Sequence, residues 1–109
     1  MTSAFCFGRD PSVAHIVIEN PSCSAQHAVI QFREKLKTIE LTPEQQARRG
    51  LLEGFIQETF VMPYVMDLNS TNKTFLNGKE IEAARYYELR SKDVLKFGNS
   101  DREYVVMRK

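Results

Sequence analysis

The chain has 109 residues, of which 42% are hydrophobic and 27% charged, and its formal net charge at pH 7 is +1. This length allows one domain with a single core and is too short for two domains. The near-zero charge excludes nucleic-acid binding by bulk electrostatics, and the sequence has neither the roughly 20-residue apolar run that crosses a bilayer nor the pattern of a signal peptide at its start.

The first third of the chain is predicted to hold three short strands joined by polar loops. Apolar or β-branched residues predominate in three runs, which is typical of strands. These runs are residues 4–7, 15–18 and 28–32. The first run ends at Gly8 and Arg9, so a rigid strand end delivers an arginine to a loop. Ser24 lies in the loop before the third run, where its hydroxyl can donate a hydrogen bond to an anion.

His27 is predicted to stand at the first position of the third strand, where its ring is better placed to bond backbone groups and lock the loop than to meet solvent. No metal site is expected, because neither a second histidine nor a cysteine stands at ligand spacing from it. Cys6 and Cys23 are expected to be buried free thiols of an intracellular protein. A nucleophile pair of Cys23 and His27 lacks an oxyanion site and an orienting acid in the sequence.

Residues 33–62 break the strand pattern and are predicted to form a partly helical surface insertion. Thr42, Pro43 and Gln45 have the form of a helix start, with a capping hydroxyl, a proline in the first turn and a glutamine three residues after the cap. Apolar residues at helical spacing are expected to form one face of this helix. They are Leu51, Leu52, Phe55, Ile56 and Phe60. The basic residues of the insertion are balanced in part by acidic ones, which favours a solvated face over a binding patch.

A polar elbow, DLNSTNKTFLNG at residues 67–78, lies between apolar runs that are predicted to be strands. The chain is expected to reverse over residues 69–73. The Asn, Ser and Thr side chains of the elbow can bond their own backbone and stiffen the turn, or point outward and bind polar groups of another chain. The residues alone leave both interpretations open.

Turn signals separate the remaining strands. Asn77 and Gly78 predict a tight hairpin, residues 83–90 are interpreted as a connector, and residues 94–97 and 104–107 are typical of two last strands. Many short strands without a βαβ rhythm predict an all-β fold, an antiparallel β-sandwich. Loops gather at the two ends of a sandwich, so loops that are distant in sequence can meet.

Three motifs in this order resemble the forkhead-associated (FHA) domain family. They are Gly8-Arg9, Ser24-x-x-His27 and residues 69–78, followed by a closing strand Asp93-Val94-Leu95-x-Phe97. The resemblance covers residues 1–109 as a single domain apart from the insertion, and it implies a β-sandwich whose loops at one end bind phosphothreonine peptides. Such a site needs no pair of titratable groups poised for proton transfer, so neither an enzyme nor a cofactor is expected.

The resemblance assigns a role to individual residues of this sequence. Arg9 corresponds to the cation that meets the phosphate, and Ser24 and Thr71 correspond to hydroxyls that bond it. Asn72 corresponds to the amide that holds the peptide backbone beside the phosphothreonine. A phosphate carries close to two negative charges and three acceptor oxygens, which suits one guanidinium fork together with hydroxyl and N–H donors.

Longer stretches are similar to the FHA subunits of the RES complex, the pre-mRNA retention and splicing assembly. These stretches are PSCSAQHAVIQF, the elbow, RYYELRSKDVLKFG and REYVVM. The resemblance implies a nuclear protein of pre-mRNA splicing. Its partners would be a phosphorylated protein, RES complex subunits and spliceosomal proteins, with no membrane and no sequence-specific nucleic acid.

Gly8 and His27 correspond to architectural positions of the family, and three features depart from its pattern. Ala25 stands where many FHA domains carry Arg or Asn, so one polar group that faces the peptide is lost. Lys73 replaces the usual glycine, which costs on the order of 1 kcal/mol where φ is positive but offers a second cation near the phosphate. The family fold normally has another strand before the one that ends at Gly8, so we expect a fragment, or a sheet that another segment completes.

Two other functions stay open from the sequence. One is a phosphate-independent interaction module that uses the insertion or an open sheet edge. The other is RNA contact by the basic residues of the insertion, which would depend steeply on salt.

Overall fold

Two β-sheets and one short helix make up the computed structural model, which describes residues 4–107; residues 1–3 and 108–109 of the predicted domain lie outside this range. The strands are β1 (Ala4–Gly8), β2 (Ile16–Val17), β3 (Ala28–Glu40), β4 (Phe55–Asp67), β5 (Thr74–Leu76), β6 (Lys79–Glu80), β7 (Tyr86–Glu88), β8 (Val94–Phe97) and β9 (Tyr104–Val105), and the helix α1 is Pro43–Arg49. The sheets have the orders β2-β1-β3-β4-β7 and β6-β5-β8-β9. Paired strands are antiparallel except β1 and β2, so the predicted all-β sandwich is confirmed with one parallel pair.

Aromatic and aliphatic side chains from both sheets form the core between them. Phe97 of β8 is fully buried, and its ring stacks on that of Phe7 in β1 with the ring centroids 4.7 Å apart. Tyr104 packs edge-on against both rings. The other buried members of this cluster are Ile18, Cys23, Ala28, Val65, Ile81, Leu89 and Leu95. Burial of apolar surface around one aromatic pair therefore holds the two sheets together.

The two cysteines are free and buried, as predicted. Burial raises the pKa of both the Cys6 and the Cys23 thiols. The Cys23 thiol donates to the carbonyl oxygen of Phe97 over 3.5 Å. Both thiols are therefore protonated packing groups at neutral pH rather than nucleophiles.

A two-stranded ribbon extends beyond the five-stranded sheet. β3 and β4 pair along their full 13 residues. Within residues 4–107, β1 pairs with β3 as far as Gln31, and β7 pairs with β4 from Tyr64 onward. Residues 32–63, called the arm below, therefore leave the sandwich as a ribbon with α1 at its tip. The molecule is correspondingly elongated, with principal extents of 59, 27 and 23 Å.

The helix at the tip of the arm begins where the sequence predicts. The Thr42 hydroxyl accepts a hydrogen bond from the backbone N–H of Gln45, and the Gln45 side chain accepts one from the backbone N–H of Thr42. Gly50, at a φ of 65°, ends the helix in the left-handed conformation that glycine adopts without strain. The insertion is therefore partly helical, but its helix has only seven residues.

The prediction that the apolar residues after this helix start form one face of a helix is wrong. Its members lie in the loop before β4 or in β4 itself: Leu51, Leu52, Phe55, Ile56 and Phe60. These apolar residues recur at a spacing of about four, which also fits a helix. Along residues 55–61, however, side-chain exposure alternates with the period of two that defines a strand. Pairing with β3 makes these residues a strand rather than a helix. Ile56 lies opposite Ile39, and β-branched side chains pack well across a ladder.

Smaller differences concern the turns and the strand lengths. The elbow joins β4 of one sheet to β5 of the other, so the chain crosses between the sheets there. Asn77 and Gly78, with φ of 51° and 81°, form the predicted hairpin between β5 and β6. The predicted connector at residues 83–90 contains β7, and the strands at Ile16–Val17 and Tyr104–Val105 are shorter than predicted. The outer strands of the described sheets are β2, β7, β6 and β9, and completion of a sheet by another segment stays a prediction.

Replacement of the central aromatic ring should unfold the sandwich more readily. We expect Phe97→Ala to lower the free energy of unfolding by about 3–5 kcal/mol, because the cavity removes contacts with both sheets. Phe55→Ala on the arm, where the side chain is 51% exposed, should change it by less than about 0.5 kcal/mol. Urea unfolding followed by circular dichroism measures both values, and equal losses would contradict this description of the core.

Candidate functional site

Three loops meet at one end of the sandwich around the backbone and side chain of Ser24. The backbone N–H of Arg9, which follows β1, donates to the Ser24 carbonyl oxygen over 3.0 Å. The backbone N–H of Thr71, in the elbow, donates to the Ser24 hydroxyl oxygen over 3.2 Å. The side-chain amide of Asn72 donates to the carbonyl oxygen of Ser22 over 2.7 Å. The fold thus brings together four residues that lie as far as 63 positions apart (Arg9 to Asn72).

Arg9 presents a cation without a carboxylate partner at this end. Its Nε donates to the carbonyl oxygen of Cys23 over 3.2 Å, which holds the base of the guanidinium against the loop. Within residues 4–107 the ion pairs are Lys35 with Glu88 and Arg85 with Glu82, so the charge of Arg9 is unpaired there. The side chain borders an open depression of about 290 Å³, lined also by Asp10 and Ala25.

The carboxylate of Asp10, the residue after Arg9, bonds to groups of its own loop. Asp10 Oδ1 accepts hydrogen bonds from the backbone N–H and the hydroxyl of Ser12 at 2.9 and 2.8 Å. These two bonds, with a smaller contribution from the positive charge of Arg9, lower the pKa of the Asp10 carboxyl. Asp10 is therefore ionised at neutral pH, and its charge is engaged by Ser12 rather than by a salt bridge to Arg9.

Ser24 and Thr71 supply two hydroxyls at the same end of the sandwich as Arg9. Because the Ser24 oxygen accepts the N–H of Thr71, its own proton remains available for donation to a ligand. Thr71 is exposed, and within residues 4–107 its hydroxyl makes no hydrogen bond. This end of the sandwich therefore offers two hydroxyl donors in addition to a guanidinium.

Asn72 and Lys73 are held by the backbone around them. One N–H of the half-buried Asn72 amide is committed to Ser22, while its Oδ1 accepts no hydrogen bond from any residue in the range 4–107. Lys73 has a φ of 71°, so a lysine occupies the left-handed conformation that the glycine of the family would adopt without strain. Its carbonyl oxygen accepts hydrogen bonds from the backbone N–H of Gly98 and from the His27 ring. The exposed ammonium remains available for a ligand.

His27 fastens the loops from beneath. Its ring is fully buried, with Nδ1 accepting the N–H of Ser24 at 3.1 Å and Nε2 donating to the carbonyl oxygen of Lys73 at 2.7 Å. We assign the proton to Nε2 because its partner is a carbonyl oxygen, which can only accept. Since both ring nitrogens are occupied, His27 cannot activate Cys23 as a nucleophile.

Gly8 lets two loops approach each other closely. A Cβ atom at this position would lie 2.0 Å from the carbonyl oxygen of Ala25, a distance at which backbone would have to move. Only glycine therefore permits β1 to end against the Ser24 loop with the observed bond from Arg9.

A buried carboxylate that the sequence interpretation did not single out holds the elbow. Asp67 is fully buried and accepts hydrogen bonds from the Ser70 hydroxyl at 2.5 Å, the Ser70 N–H at 3.0 Å and the Thr74 hydroxyl at 2.6 Å. Burial acts to raise the pKa of Asp67, but the hydrogen bonds from Ser70 and Thr74, together with the nearby His27 ring, outweigh it and leave the pKa below its ordinary value. An Asp at the start of a run of Asn, Ser and Thr commonly bonds the backbone of the turn that follows, and this signal could have identified the group.

The first interpretation of the elbow, a turn stiffened by its own side chains, is confirmed. Asp67, Ser70 and Thr74 are buried and satisfy one another. Thr71 is exposed, and Asn72 bonds to the neighbouring loop. Binding of another chain by the exposed residues of this turn stays a prediction.

The described residues offer no metal site and no membrane-spanning helix. Within residues 4–107 no group of three or more His, Cys, Asp or Glu side chains could hold a metal ion. The same residues contain no helix of the length and apolar character that crossing a membrane requires.

Comparison with known proteins identifies a family and several relatives. The family model described as FHA domain matches residues 5–98. Smad nuclear-interacting protein 1 of Mus musculus is 49% identical over 105 residues, which cover 96% of this chain and 24% of that protein. Pre-mRNA leakage protein 1 of Saccharomyces cerevisiae is 43% identical over 83 residues, which cover 76% of this chain and 30% of that protein.

A solved structure of the yeast Pml1 splicing factor, described with its integration into the RES complex, has the same fold. Its TM-score with this chain is 0.62 at 36% identity, and the match covers 91% of this chain and 55% of that one. The chain spans between 6% and 30% of the length of the curated relatives that it matches.

Removal of the buried carboxylate should loosen the elbow in a pH-dependent way. We expect Asp67→Asn to lower the free energy of unfolding by about 2 kcal/mol at pH 7, because buried donors lose an ionised acceptor. A carboxyl whose pKa is lowered by folding stabilises the native state above its unfolded pKa, and this contribution is lost as the pH falls through the folded value. The difference between wild type and variant should therefore shrink below a pH of about 4.

Urea unfolding at pH 7 and at pH 3 measures this difference. Asp101→Asn is the matched control, because the Asp101 side chain is exposed and has no hydrogen bond or ion pair among residues 4–107. A loss of stability that is equal at both pH values would contradict the role assigned to the Asp67 charge.

Proposed function

The chain belongs to the FHA domain family, and on that premise we propose that its loop end binds a phosphothreonine-containing segment of a partner protein. The observation that carries this proposal is that the backbone N–H groups of Arg9 and Thr71 both bond to Ser24, which brings three loops together beside an open depression lined by Arg9. A single unpaired guanidinium and two hydroxyl donors at the same end of the sandwich have the charge and the donor groups to receive a phosphate. The near-neutral chain as a whole would not hold such a ligand by bulk charge.

Each residue of the site contributes a distinct interaction in this proposal. The guanidinium of Arg9 engages phosphate oxygens, and the hydroxyls of Ser24 and Thr71 donate to the remaining ones. Asn72 holds the backbone of the peptide through its free Oδ1 and remaining N–H. Lys73 adds a second cation. Gly8 and His27 do not touch the peptide but hold the loops in place.

The activity is binding rather than catalysis. The site contains no nucleophile next to a general base, because both His27 ring nitrogens are bonded to backbone groups and the Cys23 thiol is buried. No cofactor is needed for the recognition of a phosphate by guanidinium and hydroxyl groups.

We place this module in the RES complex, as the part of a nuclear spliceosome-associated subunit that acts in pre-mRNA splicing and in the retention of unspliced pre-mRNA. Support comes from the similarity to Smad nuclear-interacting protein 1 and to yeast pre-mRNA leakage protein 1. Its partners would be RES subunits and spliceosomal proteins, one of which carries the phosphothreonine. Because the chain spans less than a third of these relatives, the assembly role belongs to the proposal and not to the domain alone.

Loss of the guanidinium should abolish the preference for a phosphorylated ligand. We expect Arg9→Ala to weaken binding of a phosphothreonine peptide library at least tenfold, because charge-assisted hydrogen bonds to the phosphate are worth about 1.5–3 kcal/mol. Arg90→Ala, which removes the same charge from an exposed position beyond the site, should leave the dissociation constant within twofold. Calorimetric titration with phosphorylated and unphosphorylated libraries measures both.

Equal affinity for the two libraries, or indifference to Arg9→Ala, would favour the alternative function. In that case the domain would be a phosphate-independent interaction module, and its binding surface would lie on the arm or at a sheet edge.

Replacement of Lys73, whose backbone is strained, tests whether it acts as a second cation in the site. Lys73→Gly should raise the free energy of unfolding by about 1 kcal/mol, because glycine adopts a positive φ without strain, and should weaken phosphopeptide binding about threefold at low salt. Lys92→Gly is the control, since Lys92 also has a positive φ, of 73°, but bonds to Val106 away from the site. It should gain stability with unchanged affinity. Unchanged affinity of Lys73→Gly would remove Lys73 from the site.

A further inference from the structure

The two faces of the arm carry net charges of opposite sign. Side chains of cross-strand partners lie on one face of a ribbon, so the pairing of β3 with β4 assigns each residue to a face. One face, called the acidic face below, carries Glu34, Leu36 and Glu40 with their partners Val61, Thr59 and Phe55. The other, called the basic face, carries Arg33, Lys35 and Lys37 with their partners Met62, Phe60 and Glu58.

The acidic face exposes large apolar side chains. Leu36 is 65% exposed, Val61 55% and Phe55 51%. At the tip, Leu52 is 99% exposed. Of the eleven exposed large hydrophobic side chains within residues 4–107, five belong to the arm, although the arm is less than a third of the chain. Such a concentration on a ribbon that has solvent on both sides marks an interaction surface rather than a solvated loop.

Among residues 4–107, the basic side chains of the basic face have partners, whereas the carboxylates of the acidic face do not. On the basic face, Lys35 pairs with Glu88 at 3.6 Å, and Lys37 lies 5.1 Å from the ring centroid of Phe60. Arg33 lies 5.1 Å from the ring centroid of Tyr86. On the acidic face, Glu34 and Glu40 make no ion pair or side-chain hydrogen bond with any residue of the range 4–107. The acidic face therefore has unmatched negative charge beside unmatched apolar surface.

At the base of the arm this surface continues into an apolar groove. The groove has a volume of about 400 Å³, and Val61, Pro63 and Phe32 form its wall on the arm side. Val105 and Met107, which are 52% and 80% exposed, lie on its opposite side. The groove therefore adjoins the acidic face, because Val61 belongs to both.

We propose that the acidic face of the arm is a second docking surface, and that it binds a segment of a partner protein in which apolar residues alternate with lysine or arginine. The apolar side chains of that segment cover Leu36, Val61 and Phe55, and its cations pair with Glu34 and Glu40. The basic face repels the same segment, so the charge pattern also selects which side of the ribbon is occupied. This surface works independently of a phosphate.

The test uses the whole 109-residue chain and two synthetic peptides, one with Lys alternating with Leu and Val, the other with Glu at each Lys position. Titration followed by amide chemical shifts should show changes on the acidic face for the Lys peptide and none for the Glu peptide. Leu36→Ser with Val61→Ser should weaken binding of the Lys peptide at least tenfold. Glu34→Gln with Glu40→Gln should weaken it at least threefold at low salt, and less at high salt.

The matched control is Lys35→Gln with Lys37→Gln, which removes two charges from the opposite face of the same strand. It should leave binding of the Lys peptide within twofold. Retention of the wild-type amide spectrum outside the arm shows that each variant is folded.

Four outcomes would overturn the proposal. They are no binding of the Lys peptide, equal binding of the two peptides, loss of binding in the lysine variant, and self-association of the chain that Leu36→Ser with Val61→Ser abolishes. The last result would make a second copy of this chain the occupant. The expected result does not depend on whether the phosphate site is functional. Failure of the acidic-face proposal and failure of the phosphothreonine proposal are therefore separate observations.

Discussion

The loop end of this domain depends on the hydrogen bonds of the buried His27 ring. One ring nitrogen accepts the N–H of Ser24 and the other donates to the carbonyl oxygen of Lys73. The backbone of the same residue bonds to the carbonyl oxygen of Phe7 and the N–H of Leu68. A single residue thus connects the strand that ends just before Arg9, the loop of Ser24 and the elbow. Loops that are fastened in this way lose little conformational entropy when a ligand arrives.

The elbow shows how a short polar turn can be rigid and still have exposed donors. Asp67 takes the hydroxyls of Ser70 and Thr74 inward, where a charged acceptor in a buried setting makes strong hydrogen bonds. The residues between them are left to face the neighbouring loop and the solvent. The hydrogen bonds of this turn offset the conformational energy that the positive φ of Lys73 costs.

The long strands β3 and β4 link two surfaces of different chemistry. The start of β3, after His27, and the end of β4, at Asp67, lie beside the loop cluster, and the other ends of the two strands form the arm. The loop end presents cation and hydroxyl donors, whereas the acidic face of the arm presents carboxylates and aliphatic groups. Because the two surfaces lie at opposite ends of one ribbon, occupation of one leaves the other accessible.

Local patterns determined much of this protein: strand ends at Gly8, the Asn77-Gly78 hairpin and the capped helix start at Thr42 each depend on a few neighbouring residues and are read directly from the sequence. The motif resemblance likewise indicated Arg9, Ser24, Thr71 and Asn72. Only the tertiary structure decided that residues 55–61 are strand, because pairing with β3 outweighs an apolar spacing that also fits a helix. It also decided that Asp67 is buried and that the two faces of the arm carry net charges of opposite sign, since burial and side-chain direction depend on contacts with residues far away in the chain.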